Sequence, residues 1–377
     1  MVTAILGWAL LALAAAGIGY TVHATVAVRR FARAPRPAPA TPEPVTLLKP
    51  LHGAEPRLAD NLASFLAQDW AAPIQMVAGT GRADDPALAV ARALPGDVAV
   101  RTDAPAIGSN AKIANVANLM PAAAHDLLVL SDSDMAVPRD YLAVLGGALA
   151  EPGVGAVTCV YRGRGDAGRW SDLAAAGISY HFLPQLLLGL ALGLARPGMG
   201  STIALRRRTL DAIGGFARFA DHLADDYALG EAVRALGLRV AVPPMVLVHG
   251  CPEPSLAAVW RHELRWASTI RRINPPGYAG MIVTHPIAFA LLALPLAPRP
   301  ALVLLLAAIG ARLALKAAVD RLSRASTAPA WMIVPRDLLS FAVFLASFVT
   351  RSVDWRGSRF TMEHHGRMSA APEFLPR

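Results

Sequence analysis

The hydrophobic pattern along the chain falls into three regimes. Residues 2 to 28 carry no charged side chain apart from a protonatable His23, and ~20 apolar residues suffice to cross a bilayer. Between residues 45 and 248, short apolar runs alternate with helix-like stretches. The runs VTLLKPL (45–51), IQMVAG (74–79), VAVR (98–101), LLVLS (127–131) and AVTCVY (156–161) predict strands. The stretches near 57–68, 84–94, 110–124 and 139–150 predict helices between them. Strands that are apolar throughout are buried on both faces, so the pattern predicts an α/β domain with a mostly parallel sheet between helical layers. Ligands bind such sheets at the carboxyl ends of the strands.

Beyond residue 272 the chain becomes apolar again. Met281–Pro298 and Pro300–Leu315 predict a helical pair joined at the turn APRP. Trp331–Thr350 predicts a further helix, interrupted by Arg336 and Asp337. One anchor, one hairpin and one further full span would leave the basic tail WRGSR (355–359) outside, against the positive-inside rule, so Leu338–Thr350 is expected to be re-entrant, or part of 316–337 to contribute a partial span. A shorter run, Phe182–Ala195, has only 14 residues and reads as an interfacial, re-entrant or core helix. The expected organisation is a membrane anchor over 1–28, a basic Pro-rich linker over 29–44, an α/β domain over 45–275, a membrane region over 276–352 and a polar tail over 353–377.

Composition supports this division. The chain is 54% hydrophobic and 17% charged, with a mean hydropathy of +0.41, too apolar for an ordinary soluble protein. The net charge of +9 is rich in arginine. Arg29, Arg30, Arg33 and Arg36 follow the first apolar run, which places the next domain in the cytoplasm by the positive-inside rule. A secretory signal would carry basic residues before its apolar core. Basic runs interleaved with stacking aromatics are missing, which argues against nucleic-acid binding. Cys159 and Cys251 fit neither a disulfide scaffold nor a CxxC site, as expected in a reducing compartment.

Three polar clusters carry candidate chemistry. In LVLSDSDMAVP, Asp132 and Asp134 stand at the mouth of a buried strand. Carboxylates so placed suit Mg²⁺ or Mn²⁺, hard cations that share coordination with substrate phosphates; a solvated loop or helix cap is the plainer alternative. In LADDYALGEA, Asp225 and Asp226 open a helical stretch, where they could cap it or supply a general base. In WRHELRWASTIRR, Arg261, Arg265 and Arg272 lie beside Trp266 and could face lipid headgroups or clamp a pyrophosphate. GRGDAG (163–168) has G-x-G-x-x-G spacing but lacks the strand context and downstream acid of a dinucleotide site. GMGST (198–202) is not a nucleophile elbow, and His364–His365 reads as solvated.

Read in order, these segments resemble a GT-A glycosyltransferase of the ceramide glucosyltransferase-like family (glycosyltransferase family 21), nearest its bacterial hopanoid-biosynthesis members. The similarity runs from about residue 3 to 360. KPLHGAEPRLADNLASFLAQD (49–69) resembles the family's opening strand and helix, DDPA (84–87) its first aspartate motif, and NAKIANVANLMP (110–121) its lysine-containing helix. DSD, DDY, LRW and WRGSRF (355–360) follow in the family's order. His262 stands where the family has Gln or Arg, and the full Asp132–Asp134 pair replaces the relaxed Asp-Ser-Gly of many ceramide-type members.

The resemblance implies an inverting transfer of a hexose or N-acetylhexosamine from a UDP-sugar to a lipid hydroxyl, at an inner-membrane, multi-pass enzyme facing the cytoplasm. It implies Mg²⁺ or Mn²⁺ on Asp132 and Asp134, Asp226 as the base, and donor contacts from Lys49, Asp85, Lys112, Asp132, Arg265 and Trp266. His181 and His262 would touch the acceptor, with a helix-cap role as the alternative for His181. A hopanoid of the bacteriohopanetetrol type is the expected acceptor, with ceramide as the alternative. A polysaccharide synthase, which would need more spans and a Gln at His262, and a non-catalytic membrane scaffold are the remaining readings.

Overall fold

The computed structural model describes residues 1–102 and 107–350, together with the backbone of short strands in the tail. Chain order begins with helix α1 (Val2–Arg33), which includes Arg29, Arg30 and Arg33 and so extends past the expected end at residue 28. The Pro-rich segment after it lies along the domain. Trp70 Nε1 donates to the Glu43 carbonyl at 3.0 Å, and Arg206 pairs with the Glu43 carboxylate at 2.8 Å.

The α/β domain then runs β1 (Val45–Pro50), α2 (Leu58–Leu66), β2 (Ile74–Gly79), α3 (Ala87–Arg92), β3 (Asp97–Arg101), α4 (Ala111–Leu119), β4 (Leu127–Leu130), β5 (Met135–Ala136), α5 (Tyr141–Ala150), β6 (Val154–Val157) and β7 (Val160–Gly165). Helices α6 (Arg169–Gly177) and α7 (Leu183–Ala191) follow, then β8 (Ile203–Arg206), α8 (Arg207–Ala212), α9 (Asp225–Ala235), β9 (Arg239–Ala241) and β10 (Val246–Cys251). The main sheet has the order β3-β2-β1-β4-β8-β6-β9. All of its strands point the same way except β8, which is antiparallel to both neighbours.

Successive side chains of a strand face opposite layers. Leu47, Met76 and Val129 pack with Phe65 and Tyr141 on one face, and Leu48, Val77 and Leu128 pack with Ile113, Val116 and Leu119 on the other. This double burial is why the strands read as unbroken apolar runs.

Two expectations within the α/β domain need correction. AVTCVY is not one strand. It breaks at Thr158–Cys159, because β6 completes the main sheet while β7 joins a second, small sheet of order β5-β10-β7. The apolar stretch Phe182–Ala195 is not a separate element either. A π turn, Ile178–Phe182, connects α6 directly to α7, giving one helix over Arg169–Ala191 of 23 residues. A local i+5 register of this kind often marks a functional position.

The C-terminal part contains α10 (Leu256–Ile273), α11 (Pro275–Gly280), α12 (Pro286–Ala293), α13 (Pro298–Ser323) and α14 (Ile333–Val349). The first member of the expected hairpin is broken: Pro275–Thr284 and Pro286–Ala293 meet at 60°. Pro298 begins α13 instead of lying in the turn, since proline fits the first helical position. Arg336 and Asp337 do not interrupt α14, because both are buried and paired. Arg336 binds Glu263 of α10 through two contacts of 2.5 Å, and Asp337 meets Arg312 of α13 at 2.5 Å. Among the described residues, four helices are long and apolar enough to cross a membrane, or five if the bent pair counts as one. Helix α1 packs against α7, α12 and α13 through Ala24, Ala27, Val28, Leu187, Ile287 and Leu315. Gly17 of α1 lies so close to the break before α12 that a Cβ would fall 2.7 Å from the Val283 carbonyl oxygen.

Candidate active site

The site forms where the carboxyl ends of β1, β2 and β4 meet the loop that enters β8. Because β8 is antiparallel, Ile203 at its start pairs with Leu130 at the end of β4. The Gly198–Thr202 loop is thereby placed against Asp132. The Asp132 N–H donates to the Gly200 carbonyl at 3.0 Å, and the Gly200 N–H donates to Asp226 Oδ2 at 2.8 Å. One glycine therefore joins the aspartate after β4 to the aspartate at the head of α9. A Cβ on it would fall 2.4 Å from Asp132 Oδ2 and 2.9 Å from Lys112 Nζ. GMGST, dismissed as a nucleophile elbow, turns out to be structural to the site. Its two glycines were the visible signal, but only β8's direction tells where they lie.

Lys112 sits between the acidic groups. Its Nζ is 2.7 Å from Asp132 Oδ1 and 3.5 Å from Asp225 Oδ2. Burial opposes its charge, but Asp132, Asp225 and Asp226 outweigh that and hold its pKa above the usual range. Asn110 caps α4 by accepting from the Lys112 and Ile113 N–H groups at 3.0 and 3.1 Å, while its amide donates to Asp225 Oδ1 at 3.1 Å. The N-termini of α4 and α9 thus converge on the same edge, a favourable arrangement for an anion.

Asp226 is the second residue of α9, and its Oδ1 also accepts its neighbour Tyr227's N–H at 2.8 Å. Burial and the adjacent Asp225 push its carboxyl up to about 6, against the pull of Lys112. The residue before the helix, Ala224, makes no side-chain cap.

Asp134 has a partner that the sequence did not reveal. Strand β10 pairs with β5 so that His249 lies opposite Met135, and the Gly250 N–H donates to the Asp134 carbonyl at 2.7 Å. His249 Nε2 comes within 3.3 Å of Asp134 Oδ2. Burial alone would raise the Asp134 carboxyl, but His249 draws it below the usual range. Asp134 Oδ1 is buried without a hydrogen-bond partner among the described residues. Glu55, in the loop after β1, faces the same pair. Burial and Asp134 push its carboxyl up to about 7.

Lys49 was expected among the donor contacts, but it lies beneath the site instead. It is fully buried, its ammonium rests 3.5 Å from the Phe65 ring centroid, and it donates to the Asp132 carbonyl at 2.7 Å. Burial pulls its pKa down to about 7. Asp85 is likewise turned inward. Its carboxylate accepts the Gly53 N–H at 3.0 Å and the Ala87 N–H at 2.9 Å, tying the loop after β1 to α3. Asp84 pairs with Arg82 at the surface.

Arg265, Trp266 and His262 share α10. The Trp266 ring approaches His262 at 4.6 Å and His249 at 6.2 Å, both edge-on, and Phe182 of the π turn at 6.5 Å. This aromatic wall connects the α/β domain to the helical region. Arg265 is partly buried on the same helix. His262 Nδ1 is bonded to Glu253. His181 is not a helix cap. It sits mid-helix in the π turn, 3.5 Å from Asp337, and lines a cavity with Trp266 and His262. WRGSRF and His364–His365 fall where side chains lie outside the described residues.

Comparison with known proteins supports this architecture. A mannosyltransferase from Pyrobaculum calidifontis, solved with GDP-Man and Mn2+, superposes with a TM-score of 0.51 at 22% identity, covering 91% of this chain and 99% of that one. The fold is therefore GT-A. Ceramide glucosyltransferase 1 of Caenorhabditis elegans is 23% identical over 273 residues, 69% of this chain and 58% of the relative. The match thus spans little more than half of that relative's length. The profile described as Glycosyl transferase family 21 matches residues 9–368, nearly the whole sequence, and the chain belongs to that family.

Proposed function

We propose that the protein is a membrane-bound, inverting glycosyltransferase that moves a hexose or N-acetylhexosamine from a UDP-sugar to a hydroxyl of a membrane lipid. The observation that carries this reading is the Gly200 bridge, which binds the Asp132 loop and Asp226 into one rigid unit. A donor-diphosphate site and a proton acceptor are thereby held at adjoining positions. The C. elegans relative, a ceramide glucosyltransferase by name, favours a lipid acceptor.

Asp132 and Asp134 fit a divalent cation, Mg²⁺ or Mn²⁺. The buried Asp134 Oδ1, unpartnered among the described residues, would supply an oxygen ligand, and His249 holds the other oxygen in place. When bound, the cation supplies Lewis-acid stabilisation of the leaving diphosphate. Lys112 and the N-termini of α4 and α9 add positive potential for the same group. Arg265 and Trp266 close the site from α10. Asp226, its carboxyl pushed up to about 6, takes the proton from the acceptor hydroxyl as that oxygen attacks the anomeric carbon. Lys49 braces the Asp132 loop from beneath, and Asp85 ties the loop after β1 to α3.

The HELRWASTIRR segment leans the acceptor towards a hopanoid. Ceramide is the second reading, favoured by the matched relative. Both acceptors, a panel of UDP-sugars, and EDTA against Mn²⁺ or Mg²⁺ form the deciding assay on purified protein. Mass spectrometry of the product names sugar and lipid together. Folded protein that transfers no sugar from any donor to any lipid overturns the proposal.

A further inference from the structure

A cavity open to solvent, with about 140 Å³ of room for water-sized groups, lies among the helix Arg169–Ala191, α10, α11 and α14. One end is mainly apolar, walled by Ile270, Met281, Val343 and Phe344, with the His285 ring 5.2 Å from that of Phe344. This end enters the helical region whose composition suits a membrane. The other end is polar and adjoins the catalytic edge. Trp266 lines the cavity there, and its far side meets His249, the partner of Asp134.

Glu253 is the unusual group at that end. It is 4% exposed, and His262 Nδ1 holds its Oε1, while Oε2 is buried with no hydrogen-bond partner among the described residues. An unpaired buried oxygen of this kind is costly unless a ligand completes it. A carboxylate only accepts hydrogen bonds, so the missing partner is a donor. Burial would raise the carboxyl, but His262 keeps it below its usual range.

We propose that this cavity takes the hydrocarbon part of the acceptor lipid, and that Glu253, oriented by His262, accepts a hydrogen bond from a headgroup donor other than the hydroxyl that reacts. The ligand class is an amphiphile with one apolar body and at least two polar hydrogens, either two hydroxyls or a hydroxyl and an amide N–H. The inference rests on the lipid-acceptor reading above and adds the place and the selectivity. A site built to accept a hydrogen bond discriminates strongly against a lipid that lacks the donor, because the carboxylate oxygen stays unpaired.

Two substitutions test it in the full-length protein in detergent. Val343→Trp fills the apolar end. It should raise KM for a long-chain acceptor about tenfold relative to a short-chain analogue with the same headgroup. Glu253→Gln should reduce the preference for a two-donor lipid over a mono-alcohol of equal chain length by about tenfold, the scale of one hydrogen bond to a charged group. Unchanged chain-length dependence in V343W, or unchanged headgroup preference in E253Q, overturns the proposal. A photoreactive acceptor analogue on the wild-type protein covers the case in which a variant fails to fold. Labelling of the Val343 segment should be competed by the acceptor and not by phospholipid. Equal competition by both makes the occupant bulk lipid and sinks the idea. Wild-type protein that glycosylates no lipid at all refutes the proposed function instead.

Discussion

At the scale of single residues, Asp226 and Gly200 carry the sharpest expectations. Asp226→Asn should lower kcat by about 10²–10⁴-fold while donor binding, followed by titration with the UDP-sugar, persists. Its carboxyl is raised by burial, so the folded protein holds that proton more tightly than the unfolded chain does. The stability it contributes is present below the ordinary aspartate range and is lost as pH rises through about 6. The charged base is therefore bought at the expense of stability. Rate should fall tenfold per unit below about pH 6 in the wild type, where Asp226 becomes protonated. Gly200→Ala tests a different point. The new Cβ falls 2.4 Å from the tip of Asp132, so the carboxylate must move while the fold need not. Turnover should drop by well over tenfold with little change in thermal midpoint, and a fully active alanine variant would remove Gly200 from the site. The sequence marked both aspartates and the glycines of GMGST, but it did not place Gly200 between the aspartates and gave no sign of His249. Each is held in place by a strand pairing between distant segments, β10 with β5 and β8 with β4.

At the scale of elements, α10 matters most because it belongs to two neighbourhoods. One face presents Trp266 and His262 to the site, and Glu263 reaches the buried guanidinium of Arg336 on α14. Read along the chain, Arg336 and Asp337 interrupt an apolar run. In three dimensions they are paired charges that lock α14 to α10 and to α13. Removing one partner of a buried pair leaves an uncompensated charge, at a cost of about 3–5 kcal/mol. Arg336→Met should lower the unfolding midpoint strongly in detergent, and the double variant Arg336→Met with Glu263→Gln should recover most of the loss. Equal loss in single and double variants would show that the two residues act independently. The helix Arg169–Ala191 teaches the same lesson. Its apolar second half was legible, but the π turn that makes it continuous with α6, and that places His181 on the cavity, depends on local register and packing.

At the scale of the whole molecule, the catalytic domain and the apolar helices form one packed structure. Helix α1, from the far end of the sequence, covers α7, α12 and α13. Deleting residues 2–33 should therefore expose the apolar faces of those helices rather than release a soluble domain. Sedimentation after detergent removal checks this: the truncated protein should aggregate, and a monodisperse soluble product would show that α1 is only a tether.

The sequence by itself determined the element types of the α/β domain, the apolar helices at both ends and the acidic motifs. Each of these depends on local periodicity and on residues a few positions apart. The resemblance then ordered the motifs into a family. Tertiary structure alone decided the single reversed strand, the second sheet that brings His249 to Asp134, the burial of Lys49 beneath the site, the tie of the Asp85 carboxylate to the Gly53 N–H, and the pairing of Arg336 with Glu263. It also decided that Glu253, in the lining of the cavity, has a buried carboxylate oxygen without a hydrogen-bond partner among the described residues. These features arise from contacts between residues tens to more than a hundred positions apart. Hydropathy records whether a side chain is buried, and only the folded chain records against what.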